Sequence, residues 1–477
     1  MQLQALVALL SVIGAAQANE RHARLAKKAV AVTSSVVAAS SSSSASAPSV
    51  SSAPPSTSAA SSQTSMSSVS SAAASASSPA GTGAVGTSIP PLSQITSGMP
   101  TPSTLPPSST FPAGASAPIA GAPSLPTPFV FQAADWPPQD QVAPTNSEEV
   151  SEWMKELDGF NIPTFSPTAD GTCVGDPVAA SQAAQRGWWT CGGYTSVTDI
   201  VACPDKLTWG VSFDDGPGFY TQELLDYLSE KNVTSTFFVV GSRVIERPTV
   251  LIEEYMAGHE IAVHTWSHRP LTSLTTEQVV AELGWSRKSI KEVLGVTPTL
   301  MRPPYGDIDD RVRAISLAMG MVPVIWTRTP SGATFDTNDW KVPGGVVTGP
   351  QSFATFEAIL GNATLLDTGF VVLEHDLYPQ TVDLAIGYTL PAAMNYNPKL
   401  TLEPIGYCNK IPATNLYRES NKNTSFPYAN STSGDPSVPS GSGGQGGGKS
   451  GAAALNAFIP LSVVVASGFA VAGALLM

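Results

Sequence analysis

Between residues 204 and 406, short apolar runs alternate with longer segments in which apolar residues recur at helical spacing. The apolar runs are typical of strands buried on both faces of a sheet, and the longer segments are typical of helices that pack against it. The clearest helix lies at 275–295, where Thr275 and Gln278 fit a capping box and Gly295 fits a stop signal. We predict strands at 207–213, 234–241, 260–265, 299–306, 321–328, 369–376 and 400–406, and helices at 147–157, 221–231, 249–258, 275–295, 309–319 and 351–361.

The alternation of strands with helices predicts an α/β fold with a parallel sheet. About seven such units predict a (β/α) barrel of about seven parallel strands rather than an open sheet. In such barrels the catalytic side chains lie at the carboxyl ends of the strands. The strand ends are therefore where we look for chemistry.

The segments that flank this region have a different composition. Residues 33–128 contain no charged residue, and Phe111 is their only aromatic residue. Such a segment cannot bury enough apolar area to fold, so we predict a disordered, Ser/Ala/Pro/Thr-rich and O-glycosylated stalk over 19–128. An N-terminal extension at 129–203, rich in Trp, Pro and Gly, then precedes a catalytic domain at 204–410.

Both ends of the sequence carry targeting patterns. The apolar run near the start ends in an A-x-A-like site, which predicts a secretory signal peptide at 1–18. At the other end, a Ser/Gly-rich linker over 411–454 precedes an apolar tail at 455–477, a pattern typical of a removed GPI-anchor signal. The alternative is a transmembrane helix, but no basic residue follows the tail. We expect the anchor site within 440–450, and a protein on the outer face of the plasma membrane and in the cell wall.

Four cysteines follow the signal peptide, namely Cys173, Cys191, Cys203 and Cys408. An even number in a secreted chain predicts two disulfides, and three pairings are open. Because Cys203 precedes the first strand and Cys408 follows the last, we favour Cys203–Cys408 and Cys173–Cys191. N-glycosylation sequons in keeping with this compartment lie at Asn232, Asn362, Asn423 and Asn430.

Ionisable side chains cluster at the predicted strand ends. In chain order they are Asp214, Asp215, His264, His268, Arg302, Asp336, Asp339 and His375. Two histidines four residues apart and a carboxylate form a three-ligand set that leaves room for water, as in catalytic zinc sites. A second carboxylate can take a proton from that water, and a further histidine can protonate a leaving amine. These groups together predict metal-assisted hydrolysis of an amide or an ester.

Each of these residues also has a simpler interpretation. Asp214 and Asp215 precede Gly216 and Pro217, so alone they could belong only to a turn. Isolated histidines are also common in loops. The set as a whole favours chemistry, although adjacency alone leaves open which aspartate would bind the metal.

Five ordered segments, SFDDGP, HTWSH, RPPYG, DTNDW and LEHD, lie within 207–376. They resemble the motifs of the polysaccharide deacetylases, carbohydrate esterase family four. The resemblance covers about 200 residues and excludes the stalk, extension and tail. It implies a distorted (β/α) barrel that hydrolyses N-acetyl or O-acetyl groups on sugar polymers.

The same resemblance assigns roles to individual residues. It implies that Asp214 is the general base and His375 the general acid, with Arg302 orienting the base and Asp339 tuning the acid. It implies one divalent metal ion, zinc or alternatively cobalt, on Asp215, His264 and His268. It further implies an oxyanion donor at the backbone N–H of Tyr305 and an acetyl pocket walled by Trp340 and Leu373.

The stalk, the anchor signal and the motifs together resemble the fungal chitin deacetylases of the cell wall. Chitin or a chito-oligosaccharide is then the expected substrate. The alternatives are a deacetylase of xylan or peptidoglycan and a non-catalytic wall mannoprotein on the same scaffold. A formal net charge of −13 argues against a nucleic-acid partner.

Overall fold

The computed structural model describes residues 89–329 and 331–427. Seven parallel strands form one curled sheet in the order β5-β4-β3-β2-β1-β6, and β7 pairs with β1 beside β2. The predicted α/β fold with about seven parallel strands is therefore confirmed. The strands are β1 (Thr208–Asp214), β2 (Thr236–Val239), β3 (Glu260–Val263), β4 (Leu300–Met301), β5 (Val322–Pro323), β6 (Phe370–Val371) and β7 (Thr401–Pro404).

Helices connect the strands and cover the sheet. The α-helices are α1 (Glu148–Met154), α2 (Pro177–Ser181), α3 (Ala183–Arg186), α4 (Thr221–Lys231), α5 (Gly241–Val244), α6 (Pro248–Met256), α7 (Thr276–Leu294), α8 (Asp310–Ala318), α9 (Gly349–Ala363), α10 (Pro379–Leu384), α11 (Leu390–Met394) and α12 (Ile405–Cys408). A π-helical turn, Ala385–Thr389, joins α10 to α11. Single 3₁₀ turns lie at Leu92–Gln94, Ala133–Asp135, Lys155–Leu157, Leu271–Ser273, Pro304–Gly306, Asp339–Lys341 and Ala413–Leu416.

The strand β1 is the centre of the sheet, and all of its residues are buried. The amino-terminal half of β1 pairs with β7 on one edge and β6 on the other, while its last residues pair with β2. Past β5, the Thr327 N–H donates to the carbonyl of Val371 in β6 at 3.0 Å. This contact brings the two ends of the sheet together and accounts for the distorted barrel.

The predicted helices with clear local signals are confirmed. The helix α4 has the predicted bounds. The helix α7 begins with the predicted capping box, in which Thr275 and Gln278 exchange hydrogen bonds of 3.0 and 3.3 Å. It ends at Gly295, which adopts the left-handed φ of 81° that favours glycine. Local capping chemistry is thus sufficient to define this helix.

The strands β4, β5 and β6 are shorter than predicted, with two residues each. Beyond these pairs of residues the predicted runs continue mostly as irregular chain. The helices α10 and α11 were not predicted. Pro379 and Pro391 are compatible with helices because each occupies a first turn, where its missing N–H is not needed.

Part of the segment expected to be stalk contacts the domain. Ile95 is fully buried with Val342 and Leu384, and its carbonyl accepts from the Gly349 N–H at 2.8 Å. Leu125 is also buried in the main core. The last part of the stalk expected over 19–128, from residue 89 onwards, therefore contains residues that pack on the domain. A few apolar anchors hold it, although its composition resembles that of disordered chain.

Both predicted disulfides are confirmed, Cys203–Cys408 across 205 residues and Cys173–Cys191 across 18. The first joins the segment that leads into β1 to the last residue of α12. Of the sequon residues, Asn232 and Asn423 are exposed and Asn362 is half-exposed, whereas Asn430 lies outside the described residues.

The described part of the chain contains no helix that is both long and apolar enough to span a membrane. The predicted signal peptide at 1–18, most of the stalk, the anchor site and the tail at 455–477 lie outside the described residues.

Candidate active site and metal centre

Asp215, His264 and His268 come together at the carboxyl ends of β1 and β3. Their nearest ligand atoms all lie within 4.8 Å of one another. The carboxylate Oδ1 of Asp215 lies 3.5 Å from His264 Nε2 and 3.0 Å from His268 Nε2. The structure therefore brings the three residues expected to bind metal into one cluster.

Unusual backbone conformations aim these side chains. Asp215, Thr265 and His268 have φ values of 82°, 65° and 55°, in the left-handed region that non-glycine residues rarely adopt. Such conformations cost on the order of 1–3 kcal/mol each and persist only where the surroundings enforce them. Their presence at two members of the cluster, Asp215 and His268, and at Thr265 directly after the third indicates that the fold holds the cluster in place.

Each imidazole is oriented by a neighbour. His264 Nδ1 lies 2.8 Å from the carbonyl oxygen of Arg302, so Nδ1–H donates and the lone pair of Nε2 faces Asp215. The ring of His268 packs edge-on against Tyr305, with 4.7 Å between the ring centroids. Both Nε2 atoms are thus directed at one point.

The electrostatics of Asp215 and His268 favour the deprotonated forms that metal binding needs. Burial raises the pKa of Asp215, but His268, His264 and Arg243 together hold that pKa well below its usual range. Burial lowers the pKa of His268 to about 4 against the opposing effect of Asp215. No described residue donates a hydrogen bond to the buried Oδ1 of Asp215. An ionised carboxylate with an unsatisfied oxygen, together with two imidazole Nε2 atoms aimed at it, fits a divalent cation.

Asp214 faces a different partner. Its Oδ1 accepts a 2.6 Å hydrogen bond from Arg302 Nη1, which also donates to Ser212 Oγ at 3.0 Å. Arg302 is fully buried, with its guanidinium over the ring of Phe238 at 4.0 Å. The Oδ2 of Asp214 lies 3.9 Å from His264 Nε2. Asp214 is therefore an arginine-bound carboxylate next to the cluster, not a member of it.

His375 and Asp339 form a second buried pair. His375 Nδ1 lies 2.8 Å from Asp339 Oδ1, and the His375 N–H donates to Asp339 Oδ2 at 2.8 Å. Burial lowers the pKa of His375, but Asp339, aided by Asp215 and Asp214, outweighs it and raises the pKa to about 10. The chain on both sides of His375 hydrogen-bonds to the backbone of Asp214, at 3.0 and 3.1 Å. This pairing sets the histidine beside the first aspartate.

The three residues expected at the acyl group lie next to these groups in the chain. Tyr305 has a φ of 62° in the turn that follows Arg302. The Trp340 N–H donates to Asp339 Oδ1 at 2.7 Å, and Leu373 is buried two residues before His375. Their roles stay predictions.

Two polar residues at the site were not singled out from the sequence. Arg243, in α5 after β2, donates to the carbonyl of Asp215 at 2.6 Å and lies 3.8 Å from its Oδ1. Asp376 accepts from Thr221 Oγ1 at 2.5 Å, and burial, partly opposed by that bond, raises its pKa to about 7. The rule that catalytic side chains lie at the carboxyl ends of the strands could have indicated both residues, since each follows a strand.

Residues 202–324 match the sequence model described as polysaccharide deacetylase. A curated relative is 51% identical over 361 residues, covering 75% of this chain and 76% of the relative. The chain therefore belongs to the polysaccharide deacetylase family.

That relative is chitin deacetylase 1 of Cryptococcus neoformans var. grubii. The chitin deacetylase of Amylomyces rouxii is 36% identical over 274 residues, which cover 54% of this chain and 63% of that protein. Among solved structures, the chitin deacetylase of Colletotrichum lindemuthianum aligns with a TM-score of 0.39 and 23% identity, over 47% of this chain and 97% of that one.

Proposed function

We propose that this protein is a chitin deacetylase, a metal-dependent hydrolase that removes N-acetyl groups from the N-acetylglucosamine units of chitin. The products are acetate and chitosan. The observation that carries the chemistry is the meeting of the Asp215, His264 and His268 cluster with the Asp214–Arg302 and Asp339–His375 pairs. The choice of chitin rests on the 51% identity to a chitin deacetylase.

The metal would be held by Asp215, His264 and His268. We propose zinc, with cobalt as an alternative, because imidazole and carboxylate ligands suit both ions. When bound, a divalent cation lowers the pKa of a water molecule and polarises the carbonyl of the acetyl group.

Asp214 is the proposed general base. Arg302 binds its Oδ1, which leaves Oδ2, on the side of His264, to accept a proton from the attacking water. The buried guanidinium fixes the orientation of the carboxylate and balances its charge.

His375 is the proposed general acid. Its Nδ1 is bound to Asp339, so Nε2 is the atom that can deliver a proton to the leaving nitrogen of the sugar. The raised pKa of about 10 keeps the imidazole protonated near neutral pH. As the C–N bond breaks, this proton makes the leaving group a neutral amine.

The remaining roles concern the acetyl group. We assign the backbone N–H of Tyr305 as a donor to the developing oxyanion, since its left-handed turn follows Arg302 directly. Trp340 and Leu373, beside the acid and its partner, would wall the acetyl pocket.

Substrate choice can be tested by acetate release. The full chain is compared on chitin oligomers and on acetylxylan, with peptidoglycan as a third substrate and an Asp214→Asn variant as the inactive control. We expect chitin oligomers to be the best substrate. Faster release from xylan or peptidoglycan would overturn the choice of chitin, and no release from any substrate would favour a non-catalytic wall protein.

We also propose that the protein is secreted and held by a GPI anchor at the plasma membrane and cell wall. The support is the pattern at 1–18, the stalk, and the small residues and apolar tail at 440–477. Treating fungal membranes with a phosphatidylinositol-specific phospholipase should release the protein. Retention after this treatment, with a known anchored protein released in parallel, would contradict the anchor.

A further inference from the structure

A fully buried carboxylate, Glu282 in the middle of α7, contacts the loop that carries the two metal-site histidines. Its Oε2 accepts from the N–H groups of Trp266 and Ser267 at 3.1 and 2.8 Å. Its Oε1 accepts from Ser267 Oγ at 2.8 Å and from the Ala143 N–H at 3.1 Å. Both carboxylate oxygens are therefore satisfied by four donors.

Three of these donors lie between His264 and His268 in the chain. Successive N–H groups next to a left-handed residue form a concave anion site, and here Thr265 supplies the left-handed residue with φ 65°. The carboxylate of Glu282 occupies that site. It thereby stabilises a loop conformation that is unfavourable by itself.

The fourth donor belongs to the N-terminal extension. The same extension accepts from Trp266 Nε1 at the carbonyl of Pro138, at 3.1 Å. It also stacks Trp136 on Trp266, with 5.9 Å between ring centroids and an interplanar angle of 5°. The metal-site loop is thus held between α7 and the extension. Glu282 of α7 hydrogen-bonds to both the loop and the extension.

We propose that Glu282 is a positioning residue for the metal centre, which sets the separation of the His264 and His268 nitrogens. It does so through the loop that joins the two histidines, which supplies three of its four hydrogen bonds. In Glu282→Gln one carboxylate oxygen becomes an NH₂ donor, so at least one buried N–H group loses its acceptor and faces a donor, the remaining hydrogen bonds lose their charge assistance, and the loop can relax towards ordinary φ values. The ligand nitrogens then no longer converge. The inference rests on the proposed metal-dependent function.

A matched control is available at the start of β3, the strand that leads into His264. Glu260, at the start of β3, is also buried and accepts three hydrogen bonds, from Thr236 Oγ1 and from the N–H groups of Gly406 and Tyr407, at 2.7 to 2.9 Å. It lies about 13 Å along the strand from His264, at roughly 3.3 Å per residue. Its loss should weaken the fold without disturbing the metal-site loop.

The test measures metal binding rather than turnover. Full-length wild type, Glu282→Gln and Glu260→Gln are freed of metal, and zinc affinity is determined by competition with a chelator. The visible absorption of the cobalt-loaded proteins reports ligand geometry, and thermal unfolding reports stability. We expect Glu282→Gln to weaken zinc binding by about 10- to 100-fold and to alter the cobalt spectrum. Glu260→Gln should unfold at lower temperature but bind zinc within about twofold of wild type.

Two outcomes would overturn the role of Glu282. One is a zinc affinity within about twofold of wild type with an unchanged cobalt spectrum in Glu282→Gln. The other is an equal loss of affinity in Glu260→Gln, which would show a general effect of lower stability. A wild-type protein that binds no zinc or cobalt would instead refute the proposed metal site itself.

Because Glu282→Gln can fail to fold, Ser267→Ala provides a milder perturbation. It removes one of the four hydrogen bonds to the carboxylate and leaves the backbone donors in place. Zinc affinity should fall by about three- to tenfold, the equivalent of one hydrogen bond. An unchanged affinity in this folded variant would also overturn the proposal.

Discussion

Replacing Asp339 by asparagine removes the negative charge beside His375 and keeps the shape of the side chain. In the wild type His375 Nδ1 lies 2.8 Å from Asp339 Oδ1, and both side chains are nearly inaccessible to solvent. Burial by itself lowers the pKa of His375, and Asp339 is the first of the groups that reverse this and raise it to about 10. The variant should therefore contain a histidine that loses its proton much more readily.

The size of the change follows from the geometry. An imidazolium and a carboxylate whose charge centres are about 4 Å apart attract each other by about 4 kcal/mol at an effective dielectric constant of roughly 20. At about 1.4 kcal/mol per unit, this corresponds to about 3 pKa units. A cation bound nearby would lower the pKa of His375 in both proteins, so the prediction concerns the difference between them.

The assay is acetate release from a chitin oligomer as a function of pH. A general acid is active while protonated, so activity falls as the pH rises through its pKa. The alkaline limb of kcat/KM should move to lower pH by about 3 units in Asp339→Asn, while zinc affinity stays near that of wild type. An alkaline limb displaced by less than about half a unit would refute the assignment of His375 and Asp339 as acid and partner.

Other predictions concern the base, a metal ligand, the long disulfide and a buried histidine. Asp214→Asn should lower kcat by about 10²- to 10⁴-fold while zinc remains bound, and near wild-type turnover would contradict its role as base. His264→Ala should lose zinc in calorimetric titration, whereas binding of wild-type affinity would exclude it as a ligand. Replacing Cys203 and Cys408 by serine opens a link across 205 residues and should lower the free energy of unfolding by about 5 kcal/mol in urea titrations. A loss below about 1 kcal/mol would show that the link constrains the unfolded chain little. Burial lowers the pKa of His259 from 6.5 to about 4, so the unfolded chain binds more protons in this window. Wild-type stability should lose up to about 3 kcal/mol from this group as the pH falls from 6.5 to 4. A His259→Gln variant should lack this loss, and unfolding curves with the same pH dependence in both proteins would contradict the effect.

Elements with local signals were predictable from the sequence. The bounds of α4 and the capping of α7 depend on residues within one helix, so a single segment defines them. The parallel sheet followed from the alternation of strands and helices, and the disulfide pairing from the positions of Cys203 and Cys408 around the barrel. The rule that catalytic side chains lie at the carboxyl ends of the strands allowed us to group ionisable residues from distant segments of the sequence.

Features that depend on distant partners were not predictable in the same way. The burial of Ile95 needs the pocket formed by Val342 and Leu384, which no pattern near residue 95 indicates. The contact of Glu282 with the histidine loop likewise joins segments that only the folded chain brings together. A helix pattern shows Glu282 merely as a polar residue in an apolar stretch.

The adjacent aspartates show this limit most clearly. Two neighbouring carboxylates after a buried strand indicated function, but adjacency did not separate their environments. The left-handed φ of 82° at Asp215 turns that side chain towards the histidines, while Asp214 stays in the strand and meets Arg302. The difference arises from backbone conformation and from a partner in another strand.

Metal-dependent deacetylation is tested by acetate release from a chitin oligomer with and without a chelator, followed by zinc addition. We expect wild-type protein to release acetate, the chelator to abolish release, and added zinc to restore it. The His264→Ala variant should stay inactive throughout. Undiminished release after complete removal of metal, verified by elemental analysis, would contradict a metal-dependent deacetylase built on Asp215, His264 and His268.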